Sequence, residues 1–195
     1  MIQAEKGIHP KQLPNVVSLI SPDSDGKKLV SEKDPAIKVM TDLKVVKPYS
    51  IESSASIEAI NNKMIACGVR LLFVNDPMGD LAGLVTTTDI NGKKPLLYVN
   101  QNGCSRDDIT ASDLMTPISR LEAIPIKEVL RSHVSDIVYA LEHCRRNHML
   151  VLESNQEGKF IRGIFSVSQV AKQLDILITP SIQANSFAEL NKALA

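Results

Sequence analysis

The residues best equipped for chemistry lie in one run, Gly83-Leu84-Val85-Thr86-Thr87-Thr88-Asp89. A carboxylate at the start of a helix can accept two hydrogen bonds from the diol of a sugar, each charge-assisted bond contributing roughly 1.5–3 kcal/mol. The neighbouring hydroxyls and backbone N–H groups suit phosphate oxygens, because a helix dipole favours negative charge at that end. The same residues also make an ordinary helix cap, in which Asp89 serves local structure alone. Elsewhere the chain carries no GxSxG, HExxH, GxxxxGK[ST] or GxGxxG pattern, so catalysis is not expected. Cys144 and His148 stand four apart, a spacing that suits a metal pair on one helical face. Cys144 continues an apolar stripe, however, and reads as core, so no metal site is expected.

Two copies of one design must position Asp89. Ile161-Arg162-Gly163-Ile164-Phe165-Ser166-Val167-Ser168-Gln169 follows the run from Leu81 to Asp89 by 80 residues. In each copy an amphipathic helix leads to an apolar strand, a polar hairpin and a second strand that ends in Gly, two apolar residues and hydroxyls. In the first, Ser56 is the expected N-cap, Ile57, Ile60, Met64 and Ile65 the apolar stripe, and Gly68 the stop. Residues 71–74 are continuously apolar, as for a strand covered on both faces, and 75–80 form a hairpin with Gly79 free to take positive φ. In the second, Val134, Ile137, Val138, Leu141 and Cys144 form the stripe, 149–152 and 160–165 the strands, and Val170, Ala171 and Leu174 a short helix. Val39-Met40-Thr41-Asp42-Leu43, followed by an extended Val45-Val46, opens the first repeat. Asp113-Leu114-Met115-Thr116-Pro117 and a strand over 121–126 open the second. Gly92 and Pro95 kink or shorten any helix begun at Asp89. One such unit rarely buries its apolar face alone, whereas two packed copies do.

The rest of the sequence sets the context. Lys and Arg number 22 and Asp and Glu 22, so no net field draws the chain to nucleic acid. No stretch approaches the roughly 20 apolar residues that span a bilayer, and the first residues lack the features of a signal peptide. Cys67, Cys104 and Cys144 are odd in number and without CxxC spacing, which fits reduced thiols. A cytoplasmic protein with neither membrane nor nucleic-acid partner is expected. The organisation reads as an N-terminal arm over 1–36, a first repeat over 37–105, a second over 106–176 and a tail over 177–195. That tail carries a capping box at Ser186-Phe187-Ala188-Glu189 and a short helix, expected to dock on the body or on a partner subunit.

Between about 37 and 176 the chain resembles the paired cystathionine-β-synthase (CBS) domains, or Bateman module. The resemblance rests on Val39-Met40-Thr41, Leu114-Met115-Thr116-Pro117, Val69-Arg70-Leu71-Leu72-Phe73-Val74 and the run from Gly83 to Asp89. It implies an α+β fold of two tandem β-α-β-β-α repeats packed sheet to sheet with pseudo-twofold symmetry. It also implies a stand-alone bacterial regulatory module that needs no cofactor, forms a homodimer and acts on a protein partner the sequence does not name. The implied ligand is an adenosine compound such as AMP, ADP, ATP or S-adenosylmethionine, bound in a cleft between the repeats. The resemblance assigns Asp89 to ribose, Thr86 and Thr88 to phosphate or ribose, and Leu84 to the base. Arg70 matches a position that reaches phosphate, and His148 reads as its counterpart in the second repeat. The adenine would lie against the opening strand of the other repeat, around Leu121, Ala123 and Ile124. In the second cleft Ser166, Ser168 and Gln169 replace the threonines and the acid, so a weaker or empty cleft is expected. The alternative is a ligand-free dimeric interaction module, favoured by the arm, the apolar tail helix and the degenerate second cleft.

Overall fold

The two continuous apolar runs each become an inner strand of a four-stranded sheet. In the computed structural model, which describes residues 30–175, the first sheet is ordered β2 (Ser50–Glu52), β3 (Leu71–Asn75), β4 (Leu81–Thr86) and β5 (Thr116–Pro117). The second is ordered β1 (Thr41–Asp42), β8 (Gly158–Ser166), β7 (His148–Asn155) and β6 (Ala123–Pro125). Most of the expected arm and the tail helix lie outside the described residues. In each sheet one pair is parallel, β2 with β3 and β6 with β7, and the other pairs are antiparallel.

Strand alternation explains why the inner runs are apolar at every position. Leu72 and Val74 face the layer built from α1 (Ile57–Cys67) and α2 (Thr87–Asn91), among Ile57, Ile60, Met64 and Ile90. Leu71 and Phe73 face the other way, into a cluster with Leu84 and with Leu150 of the opposite sheet. In the second repeat Met149 and Val151 pack on the layer of α6 (Val134–His143) and α7 (Val167–Gln173). Helices therefore cover the two outer faces, and the two sheets bury their inner faces against each other. Ser56 caps α1 by accepting the Ala59 N–H at 3.2 Å, and Gly68 ends it with φ +64°.

The opening strands are exchanged between repeats. β1 opens the first repeat yet pairs with β8, Asp42 lying opposite Gly163. β5 opens the second repeat yet pairs with β4, Pro117 lying opposite Gly83. This exchange accounts for the duplicated Met-Thr and Gly. A Cβ on Gly83 would overlap the Thr116 carbonyl oxygen and stand 3.0 Å from Met115 Sδ. A Cβ on Gly163 would stand 2.5 Å from Met40 Sδ and 2.9 Å from the Thr41 carbonyl oxygen. Arg162 secures β1 further, pairing with Asp42 and, at 2.8 Å, with Glu153.

Several expectations need correction. Val45 and Val46 are exposed in a turn whose two N–H groups bond the Asp42 carbonyl; the strand that pairs with β3 is β2. The opening strand of the second repeat is shorter than 121–126, because Ile126 already begins α5 (Ile126–Val129). Ile65 is exposed, being rotated about a quarter turn from Met64. Cys144 is exposed too: α6 ends at His143, so the stripe stops at Leu141 and Cys144 is not core. As Pro95 requires, the helix from Asp89 breaks after Asn91, and α3 (Lys94–Asn102) starts with the proline in its first turn.

Gly83→Ala and Gly163→Ala are each expected to destabilise the fold by about 1–3 kcal/mol in urea denaturation. Gly83→Ala has the larger effect, since a backbone carbonyl crowds its Cβ most closely, whereas at Gly163 the closest atoms belong to the flexible Met40 side chain and the Thr41 carbonyl stands farther off. Unchanged midpoints in both variants would contradict the exchange.

Candidate functional site

The turn from β4 into α2 is a capping box. The Thr86 N–H and hydroxyl donate to Asp89 Oδ2 at 2.8 and 2.6 Å, and the Asp89 N–H returns a 3.4 Å bond to Thr86 Oγ1. Asp89 Oδ1 meets Lys94 Nζ at 2.5 Å, and the same ammonium donates to the Leu114 carbonyl at 3.0 Å. Asp89 is 9% exposed, the buried charged residue among those described. A carboxylate tolerates such burial because both oxygens are paired. Capping boxes recur at Ser105 with Asp108 and at Thr110 with Asp113, so this geometry alone marks no ligand.

What sets Asp89 apart is the cleft of about 350 Å³ that it borders. One wall is Leu84, Thr86, Thr88 and Asp89; the facing wall is Leu121, Glu122 and residues 145–148 of the other repeat. Leu84, Leu121 and Leu150 are apolar surfaces, and Arg120, Arg145 and Arg146 bring positive charge. Arg146 is paired with Glu122 at 2.7 Å. Of the three residues expected against adenine, Leu121 lines the cleft. Ala123 packs in the layer between the sheets, and Ile124 turns to the opposite face against the second-repeat core. Strand alternation removes Ile124 from the site. The three arginines went unassigned in the sequence; Arg145-Arg146 is a visible basic pair, but strand pairing decides which wall it reaches.

The second cleft, of about 390 Å³, holds Ser166, Ser168 and Gln169 together with Lys47, Tyr49, Arg70 and Lys172. Arg70 therefore lies here, on a different wall from Thr86 and Asp89. Register gives the reason. Thr87 N–H bonds the Arg70 carbonyl, and in the second repeat Val167 N–H bonds the carbonyl of Asn147, each at 3.0 Å. The counterpart of Arg70 is thus Asn147, and His148 pairs with Ser166 as Leu71 pairs with Thr86. The turn before each inner strand lines the cleft that holds the other repeat's hydroxyls. Ser166 and Ser168 have their hydroxyls 3.0 Å apart, and among the described residues no carboxylate lines this cleft. It is open and cationic where the sequence pointed to a weak copy of the first.

His148 borders both clefts. Burial, reinforced by the Arg70 guanidinium and opposed by Asp89, pushes its pKa down from 6.5 to about 4. The imidazole is neutral near pH 7 and offers one donor and one acceptor nitrogen.

No protein-family model and no curated protein matches this sequence. Solved structures match its fold. An uncharacterised conserved protein from Pyrococcus horikoshii superimposes with a TM-score of 0.53 at 22% identity, over 78% of this chain and 100% of that one. TA0289, a CBS-domain protein of unknown function from Thermoplasma acidophilum, gives 0.51 at 14% identity, over 80% of this chain and 74% of that one. CBSX2 in complex with AMP gives 0.50 at 18% identity, over 71% and 94%. This chain has the fold of a CBS-domain pair. Among the described residues no helix is long and apolar enough to cross a membrane.

The buried imidazole of His148 gives a pH prediction. Between 6.5 and about 4 the unfolded chain binds a proton at His148 that the folded chain does not. Stability from this group is complete above pH 6.5 and falls as pH drops toward 4, by at most about 3 kcal/mol. His148→Gln should flatten the loss of stability measured by urea melts at pH 7 and pH 5. A slope identical to wild type would show that the imidazole protonates freely in the fold.

Proposed function

We propose that this CBS pair is a regulatory module that binds an adenosine nucleotide in the first cleft and acts by binding rather than by catalysis. The observation that carries the reading is a buried carboxylate, Asp89, on the wall of an open cleft whose far wall comes from the other repeat. In this reading the ribose diol donates to Asp89 Oδ1 in place of Lys94, whose flexible side chain is 47% exposed and free to swing away. Oδ2 keeps its bonds to Thr86, which hold the carboxylate in position. Leu84, Leu121 and Leu150 provide the apolar surface for the base. The AMP held by CBSX2, a protein of the same fold, supports the ligand class; ADP, ATP and S-adenosylmethionine carry the same adenosine. A cytoplasmic homodimer acting on a protein partner completes the proposal, and the exposed Leu96 and Leu97 of α3 are apolar surface suited to such contacts.

A second reading has its own observation. Both oxygens of Asp89 already have protein partners, as a cap in a ligand-free interaction module would.

Thermal-shift titration with AMP, ADP, ATP and S-adenosylmethionine separates the two. A ligand at 100 times its Kd should add about 2.7 kcal/mol, roughly 5–10 °C in Tm. Asp89→Asn keeps an oxygen for the cap and removes the charge, so it should lose most of that shift at nearly unchanged unliganded Tm. Asp89→Ala also deletes the cap and should lower the unliganded stability by about 1 kcal/mol. No shift in wild type with any of the four leaves the interaction module. A wild-type shift in Asp89→Asn means that ribose is held elsewhere.

A further inference from the structure

One arginine of the first cleft sits where the backbone favours glycine. Arg145 has φ +50°, in the left-handed region, which among the described residues it shares with Asp175 as a non-glycine. The other repeat provides the comparison. Gly68 N–H bonds the Ile65 carbonyl and Val69 N–H bonds that of Met64, at 3.1 and 3.0 Å. At the end of α6, Arg145 N–H bonds the Glu142 carbonyl and Arg146 N–H bonds that of Leu141, at 2.8 and 3.0 Å. Arg145 therefore takes the place of Gly68 in the same helix-ending turn. In that conformation a Cβ crowds the following carbonyl, which glycine avoids. A strained residue where the sister turn accepts glycine points to a role for its side chain.

The surroundings indicate which role. Arg145 lines the first cleft with Thr86, Thr88 and Asp89. Its neighbour Arg146 is paired with Glu122 at 2.7 Å, and Arg145 is the other guanidinium that this turn places on the cleft wall. Gly68 borders the second cleft and brings no side chain to it; that cleft draws its arginine from position 70, where the first has Asn147. A guanidinium and a carboxylate lining one cleft suit a ligand with an anion at one end and a diol at the other.

We propose that Arg145 is the phosphate-reading residue of the first cleft, pairing with the phosphate of a ligand whose ribose Asp89 holds. This rests on the adenosine-nucleotide reading of that cleft. The test is isothermal titration of AMP and adenosine into wild type, Arg145→Gly and Arg145→Ala. Wild type should prefer AMP; both variants should lose roughly 10- to 100-fold in AMP affinity, with adenosine binding nearly unchanged. Arg145→Gly should also melt no lower than wild type, since it relieves the turn, so lost AMP binding cannot be put down to misfolding. A wild-type preference for AMP that both variants retain would overturn the role of Arg145 and leave the cleft reading standing. Equal losses for AMP and adenosine, or equal wild-type affinity for the two, would also overturn it. Failure of wild type to bind either ligand would overturn both readings.

Discussion

At Gly83 and Gly163 an exchanged segment fills the space that a Cβ would need, and the rest of the arrangement depends on those contacts. They admit β5 beside β4 and β1 beside β8, so each repeat completes the other's sheet. Without β5, β4 would be an open edge with unpaired backbone groups. The exchange also fixes the separation of the two sheets, between which Leu71, Phe73 and Leu84 meet Leu150. Both clefts are the seams left where exchanged strands and inner strands end. Thr116 of β5 lines the first and Thr41 of β1 the second. Anything that lifts an exchanged strand therefore opens a binding wall as well as the core.

A duplicated scaffold carries unlike chemistry in its two halves. The first cleft faces a carboxylate with arginines; the second gathers Lys47, Arg70 and Lys172 with two serine hydroxyls. Among the described residues His148 alone borders both, and it stays neutral near pH 7 because burial and Arg70 together outweigh the attraction of Asp89. A charged imidazole there would stand beside Arg70 in a poorly hydrated position, which is the arrangement the fold avoids. The partition between the clefts is thus polar but uncharged, and each cleft keeps its own electrostatic character.

Much of this was legible in the sequence because it is local. Ser56, Gly68, the hairpin at Gly79 and the continuous run through Leu72 all act within a few residues, and the structure uses each as its type predicts. Strand β2 escaped notice because Ser50–Glu52 has a single apolar residue, while Val45 and Val46 drew attention although a turn onto Asp42 exposes them. Long-range pairing was hidden for a different reason. Gly83 and Gly163 are 80 apart, but Gly68 and Arg145 are 77 apart, because the second hairpin is longer. A single offset therefore misaligns the helix ends. Asn147, the counterpart of Arg70, is likewise 77 residues on, one position before the expected His148, and the 80-residue repeat of the glycines does not bring Gly68 onto Arg145. The duplicated Met-Thr was visible as a pattern, but its cause, a contact across some 120 residues of chain between Asp42 and Gly163, was not.

Capping a helix and holding a sugar are compatible tasks for Asp89. The two bonds from Thr86 to Oδ2 fix the carboxylate plane before any ligand arrives, and burial lowers the competing hydration of its charge. Oδ1 has a partner of another kind, a half-exposed ammonium on a flexible side chain, which two hydroxyls can replace without disturbing the cap. At the second cleft this preparation is missing. Ser166 caps α7 with no side-chain hydrogen bond, and Gln169 stands where the carboxylate would be. That turn therefore presents no fixed acceptor for a diol, and the polar grip available there is cationic. The difference between the clefts comes down to whether the residue three positions past the strand's last hydroxyl can close a capping box.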